Sequence, residues 1–152
     1  MMARHARVGR VDAIFVRSER RSDVLARHKV AVGFDGLAGD HAREGKRAVT
    51  LIQAEHLPVI SGLIGREAIT PALLRRNLVV SGINLLALRN QDVLVGTARL
   101  RVTGPCPPCS RMEEVLGFGG YSAMRGHGGV YAEVLVEGGV AIGDFVGRPD
   151  AT

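Results

Sequence analysis

The sequence predicts a mainly β domain, a small β-barrel that carries a few short α-helices on long loops. Most apolar residues fall in short runs that alternate with polar ones, a pattern typical of half-buried strands. Gly accounts for 20 of the 152 residues, which favours many turns over a helical bundle. Aromatic residues make up only 4% of the chain, so we expect a core of Val, Leu, Ile and Ala. This length suits one domain, residues 1–152, with a core of its own.

Alternation predicts the first strands. Residues 8–17 alternate and contain β-branched side chains, and residues 47–53 form a second strand-like run. Residues 28–42 begin as a short strand and continue as a Gly-rich loop. The clearest signal is residues 93–104, in which Ala98, Leu100 and Val102 share one face while Arg99, Arg101 and Thr103 share the other. This alternation predicts a strand with one buried face.

Two further segments predict strands that change direction. Residues 77–88 predict a strand, a turn at Ser81 and Gly82, and another extended piece. Residues 130–146 predict a closing hairpin whose two strands flank Glu137, Gly138 and Gly139. Several short strands of this kind indicate a barrel rather than a parallel α/β sheet. The glycine spacing of a dinucleotide-binding fold and the lysine of a phosphate-binding loop are both missing.

Three short helices are predicted between the strands. Leu57, Ile60, Leu63 and Ile64 have helical spacing, with Pro58 near the start, where proline is tolerated. A second helix begins at the N-cap Thr70, followed by Pro71. A third has Ser110 and Glu113 at capping-box spacing and ends near Gly117.

The basic character is concentrated at the amino terminus. The chain carries a formal charge of +5, and its first 30 residues hold eight Arg or Lys against three Asp or Glu. The remaining residues hold twelve of each sign. Proteins that bind single-stranded nucleic acid interleave aromatic residues with such cations, and only Phe15 lies in this segment. We therefore expect a solvated basic edge and no nucleic-acid partner; the alternative is a binding module whose basic edge docks a partner or nucleic acid.

Length and cysteine usage indicate the compartment. No apolar run is long enough for a membrane-spanning helix, and the segment at residues 11–16 is too short, and interrupted, for the core of a secretion signal. The two cysteines, Cys106 and Cys109, close too small a loop for a structural disulfide framework. We expect a cytoplasmic protein without a membrane partner, whose thiols are free.

The segment "TGPCPPCSRMEE" is the strongest candidate for chemistry. Cys109 directly precedes the predicted N-cap Ser110, so the positive end of the helix dipole favours its thiolate. Cys106 lies further from that helix. The Cys-x-x-Cys spacing also fits a thioredoxin-like redox pair, half a zinc site, or two thiols that only pack. A zinc site is not expected, since no His pair has ligand spacing.

Three other segments place cations beside glycines or helix ends. Asp40 and His41 lie in a Gly-rich loop that leads through Lys46 and Arg47 into a strand, an arrangement suited to an oxyanion. Arg75, Arg76 and Asn77 end the second predicted helix, where the dipole favours cations anyway. Arg125 and His127 lie in a Gly-flanked turn. Each segment alone is equally compatible with an ordinary polar loop.

Taken together, the segments resemble the MOSC domain family, named after the C-terminal domain of molybdenum cofactor sulfurase. The resemblance rests on "GLAGDHA", "KRAVTLIQAEHL", "RRNLVVSGINL", "GPCPPCSRMEE", "MRGHGGVYAEVL" and "GDFV", and it covers residues 9–146, the expected folded core. It implies a distorted barrel similar to that of pyruvate kinase. It also implies binding of molybdenum cofactor, a pterin dithiolene with a terminal phosphate, or carriage of sulfur. The family is further associated with pyridoxal phosphate binding.

The resemblance implies roles for particular residues. Cys109 matches the cysteine that binds molybdenum or carries sulfur, and Cys106 matches an auxiliary thiol present in part of the family. Residues of the Gly-Asp loop and the Arg-Asn segment face the pterin and phosphate, which suggests Arg47, Arg76 and Asn77. The remaining candidates for the same lining are Asp40, His41, Ser110, Arg125 and His127.

Two functions follow as expectations. The first is oxo transfer, in particular reduction of N-hydroxylated compounds, with Cys109 as molybdenum ligand and a separate reductase as electron donor. The second is a sulfur carrier that holds a persulfide on Cys109 and takes its sulfur from a donor such as a cysteine desulfurase.

Overall fold

A computed structural model describes residues 8–19, 23–64, 76–106 and 129–151. Eleven strands lie in these ranges, with one α-helix, α1 (Leu57–Ile64), and 3-10 turns at Ala54–His56, Leu86–Leu88 and Pro149–Ala151. The strands are β1 (Gly9–Val16), β2 (Leu25–Arg27), β3 (Lys29–Gly33), β4 (Gly36–Leu37), β5 (Val49–Gln53), β6 (Leu78–Ser81), β7 (Asp92–Val95), β8 (Ala98–Pro105), β9 (Val130–Val136), β10 (Gly138–Ala141) and β11 (Phe145–Gly147).

Seven of the strands close into a barrel, in the order β11, β7, β8, β9, β5, β6 and β1. Pairing of Gly9 with Val146 joins β1 to β11 and completes the ring. The small strand β2 extends the sheet beside β1, and β3, β4 and β10 form a separate three-stranded sheet. The predicted barrel is therefore confirmed.

The barrel strands bury alternate residues, as the sequence pattern predicts. Along β8, Ala98, Leu100 and Val102 are buried, while Arg101 is exposed. The buried apolar residues of the described chain are all Val, Leu, Ile, Ala or Cys, which confirms a core without aromatic side chains. The 93–104 signal is a hairpin rather than one strand, because Gly96 takes a positive φ of 60° between β7 and β8.

One pair of barrel strands, β5 and β6, is parallel, with Leu51 opposite Leu78. Parallel neighbours need a crossover connection, and α1 lies in this connection. Ile60 of α1 is fully buried, so the helix packs against the barrel as its 3.6-residue spacing predicts. The second predicted helix, apart from Arg76 and Asn77 at its end, and the third predicted helix lie outside the described residues.

Two further strand predictions are wrong. The predicted hairpin at residues 130–146 does not form: β9 pairs with β5 and β8, whereas β10 pairs with β3. The extended piece predicted after Gly82 contains a 3-10 turn, in which Leu88 donates its N–H to the carbonyl of Leu85.

Candidate functional site

Three arginines meet at one edge of the barrel sheet because of the strand directions. Arg47 and Arg76 precede the parallel strands β5 and β6, whose amino ends lie side by side. The antiparallel strand β1 ends at this edge, since Ile14 pairs with Leu78, and Arg17 directly follows it. Segments that are far apart in sequence thus bring cationic residues together.

Cys106 lies within the electrostatic reach of two of these arginines. Its N–H, just after β8, donates to the carbonyl of Gly129 at 2.9 Å, and its side chain is only 4% exposed. Burial raises the pKa of the Cys106 thiol to about 11, and the guanidinium groups of Arg76 and Arg47 oppose this rise. Cys106 is therefore a free, protonated thiol at neutral pH.

The raised pKa predicts a loss of stability at alkaline pH. Between the ordinary thiol pKa of 9.0 and the folded value of about 11, the unfolded chain releases this proton while the folded chain keeps it. The unfolded state then binds fewer protons, so the free energy of unfolding falls as pH rises, by about 2–3 kcal/mol at most. Urea unfolding at several pH values measures the free energy of unfolding of the wild type and of Cys106→Ala. The stability advantage of the wild type over the variant should shrink above about pH 9, because only the wild type has this thiol. A constant difference between the two proteins would contradict the prediction.

Asp40, Arg76 and Asn77, three of the residues predicted for the site, line one small cleft. Phe15, Val16, Arg17 and Val24 complete its wall. One carboxylate oxygen of Asp40 accepts the backbone N–H of Arg17 at 3.0 Å, which ties the Gly-rich loop to the end of β1. The cleft has a volume of about 10 Å³, room for about one water molecule. His41, beside Asp40, is exposed.

Asn77 is a buried cross-link between three barrel strands. Its Oδ1 accepts the N–H and the hydroxyl of Thr50 at 3.0 and 3.1 Å, and its Nδ2 donates to the carbonyl of Phe15 at 3.1 Å. The side chain is thus bonded to β5 and β1, and one amide hydrogen is left over for any other partner. These bonds fix the backbone that carries Arg76.

Tyr131 and Thr103 also contact this edge. The guanidinium carbon of Arg47 lies 4.9 Å from the centroid of the Tyr131 ring. The hydroxyl of Thr103 donates to the carbonyl of Lys46 at 2.7 Å. Sequence reasoning missed Tyr131, Thr103 and Arg17, because each lies in or next to an ordinary strand pattern and only the strand register brings it to the site.

Cys109, Ser110, Arg125 and His127 lie outside the described residues, so their roles stay predictions. Within the described ranges, no three His, Cys, Asp or Glu side chains form a group that could hold a metal ion. No described helix has the length and apolar character needed to cross a membrane.

A second cavity among the described residues lies away from this edge. It is an open groove of about 460 Å³ along β3 and β10, and its lining includes Lys29, Thr97 and Asp144. Thr97 precedes β8 and Cys106 follows it, so roughly 30 Å of extended strand separates the groove from the thiol. We therefore assign the candidate site to the arginine edge, where charge and thiol meet.

The structure resembles several solved proteins. It superposes on the YuaD protein from Bacillus subtilis with a TM-score of 0.82 at 19% identity, covering 92% of this chain and 94% of that one. For YiiM from Geobacillus stearothermophilus the TM-score is 0.75 at 24% identity, with 91% and 74% covered. For YiiM from Escherichia coli it is 0.71 at 18% identity, with 91% and 68% covered. At these identities the likeness establishes the fold.

No curated protein matches the sequence. The MOSC domain family matches residues 36–147, a range that extends from β4 through β11 and contains Arg47, Arg76 and both cysteines. With most of its length matched, the chain belongs to the MOSC domain family.

Proposed function

We propose that this MOSC domain binds molybdenum cofactor at the arginine edge, with Cys109 as the molybdenum ligand. The observation that carries the proposal is the convergence of Arg47 and Arg76, from separate segments, on the same buried thiol. Guanidinium groups bind phosphate with paired, charge-assisted hydrogen bonds. A pterin with a terminal phosphate needs a lining of this kind.

The donor chemistry of the described residues fits such a group. The arginines supply positive charge, and the one described thiol, Cys106, stays protonated at neutral pH because it is buried. A thiol binds metal only as a thiolate. The ligand role therefore goes to Cys109, whose predicted position before a helix favours the charged form, and a soft thiolate suits a metal already held by dithiolene sulfurs.

The reaction that we propose is reduction of N-hydroxylated compounds by oxo transfer, with electrons from a separate reductase. When bound, the cofactor supplies a metal centre able to exchange electrons and oxygen with the substrate. The chain's own residues bind and orient it: Arg47 and Arg76 hold its anionic parts, and Asn77 fixes the backbone beside Arg76.

Molybdenum content tests the proposal. We expect protein from a cofactor-competent host to contain molybdenum and pterin, and Cys109→Ser to contain at least about tenfold less metal, since even outer-shell changes cost this much. Cys106→Ser is the matched control and keeps its metal, because the buried Cys106 is not a ligand. Equal molybdenum in the wild type and Cys109→Ser would refute the ligand role.

The same samples test the sulfur-carrier function. In that case the wild type contains no molybdenum but gains about 32 Da, one sulfur atom, after incubation with a cysteine desulfurase and free cysteine as the sulfur source. Cys109→Ser does not gain this mass. This result would replace cofactor binding by persulfide transfer as the function.

A further inference from the structure

Arg47 is restrained at both its backbone and its side chain. The Thr103 hydroxyl donates to the carbonyl of Lys46, the residue before Arg47, at 2.7 Å. The Arg47 guanidinium lies over the ring of Tyr131, with its carbon 4.9 Å from the centroid. The restraints come from two different strands, β8 and β9, which pair with each other.

Arg47 is exposed, and none of the ion pairs among the described residues includes it. An arginine side chain has many rotamers, and ordering them on binding opposes affinity. A ring beneath the guanidinium reduces this loss, because the cation–π contact already selects the stacked rotamers. Stacking uses one face of the guanidinium and leaves its in-plane N–H donors available to an anion.

The partners of Arg47 are themselves fixed by the barrel. Tyr131 pairs with Thr50 of β5 and with Gly104 of β8, and the Thr103 hydroxyl also lies 3.3 Å from the carbonyl of Tyr131. Neither residue can shift without disturbing the sheet. The position of the guanidinium is therefore set by the rigid barrel rather than by the loop that carries Arg47.

We infer that Tyr131 and Thr103 are positioning residues that hold Arg47 in place to bind an anionic group of the ligand. For the identity of that ligand the inference rests on the proposed function. For the restraint itself it rests only on the contacts among Thr103, Lys46, Arg47 and Tyr131. The restraint and the ligand are therefore tested separately.

NMR of the ligand-free protein tests the restraint. In the wild type, the ring current of Tyr131 shifts the side-chain proton signals of Arg47 upfield. Tyr131→Phe keeps this shift because the ring remains, whereas Tyr131→Leu abolishes it. An Arg47 spectrum that is the same in the wild type and Tyr131→Leu overturns the inference, whatever the ligand is.

Binding tests the consequence, with inorganic phosphate as the probe and cofactor content as the second readout. We expect Tyr131→Leu and Thr103→Val to bind phosphate about two- to fivefold more weakly than the wild type. Tyr131→Phe and Thr103→Ser keep the ring and the hydroxyl and match the wild type. Phe145→Leu removes a ring elsewhere on the barrel and controls for a general loss of stability.

The outcomes separate the two proposals. If Tyr131→Leu loses the upfield shift and binds phosphate more weakly while no variant contains cofactor, the positioning role stands and the proposed function fails. If the wild type contains cofactor but Tyr131→Leu and Thr103→Val retain as much and bind phosphate equally well, the positioning role fails. Should Tyr131→Leu not fold, Thr103→Val decides the question.

Discussion

Asn77→Ala should lower the free energy of unfolding by about 3 kcal/mol, because it leaves buried groups on two strands without partners. The Asn77 side chain is only 7% exposed and bonds to Thr50 and Phe15. Truncation strips the N–H of Thr50 and the carbonyl of Phe15 of their side-chain partner. Urea unfolding, with the slope held common to both proteins, measures the loss.

A matched control is available on the same strand. Ser81 lies at the other end of β6 and donates its hydroxyl to Asp12 at 3.0 Å on the exposed side of the barrel. Ser81→Ala should therefore change stability by no more than about 0.5 kcal/mol. If Asn77→Ala is as mild as Ser81→Ala, the Asn77 bonds do not stabilise the barrel as the geometry indicates.

A second variant separates the bonds of the Thr50 hydroxyl from the bond of its backbone N–H. Thr50→Val removes the hydroxyl, which donates to Asn77 Oδ1 and accepts the backbone N–H of Asn77, but keeps the backbone N–H of Thr50. Since the residues touch, the losses from Asn77→Ala and Thr50→Val should not add, and the double mutant should fall short of their sum by about 1 kcal/mol. Strict additivity would mean that the two side chains act independently.

Local patterns predicted most of the barrel because a barrel strand buries every second residue. The alternation of Ala98, Leu100 and Val102 is visible in the sequence, and all three are buried. Helical spacing likewise predicted α1. These features depend only on residues within one element, so a single sequence contains enough information to predict them.

The failed hairpin depended on partners that are remote in sequence. Glu137, Gly138 and Gly139 have the composition of a tight turn, but both edges of β9 are occupied by β5 and β8. A side chain at Gly138 would lie 2.6 Å from the carbonyl carbon and oxygen of Thr97. Gly138 thus allows two backbone segments to lie close together. In the sequence, a glycine needed for this purpose looks the same as a glycine needed for a turn.

The same limit applies to the candidate site. The sequence predicted Arg47 from its Gly-rich loop and Arg76 from the end of a predicted helix, but it could not predict that the parallel register of β5 and β6 brings both near Cys106. Tyr131 contacts Arg47 through the pairing of β9 with β5. A residue that reaches the site only through strand pairing has no pattern in its neighbouring sequence that marks it, whereas a residue in a Gly-rich loop has one.

Gly129→Ala should have the largest effect on stability, a loss of more than about 4 kcal/mol, because the new methyl group overlaps fixed backbone. Gly129 has a φ of 95°, and its added Cβ would collide with the carbonyl oxygen of Leu51 and lie 3.1 Å from the Cα of Ile52. Leu51 and Ile52 belong to β5, and both side chains are fully buried. Neither backbone can move away without opening the pairing of β5 with β9.

Gly45→Ala separates overlap from backbone strain. Gly45 also has a positive φ, 130°, but a Cβ there would meet no atom within 4 Å. The free energy of unfolding of Gly45→Ala should therefore fall only by the cost of placing an alanine in left-handed backbone, about 1–2 kcal/mol. Equal losses of stability in the two variants would show that backbone strain alone accounts for the effect.

The carbonyl of Gly129 accepts the N–H of Cys106, so displacement of Gly129 should also expose the Cys106 thiol. Ellman's reagent should then react faster with Cys106 in Gly129→Ala than in Gly45→Ala when Cys109 is replaced by Ser in both, which would link the packing of β5 against β9 directly to the candidate site.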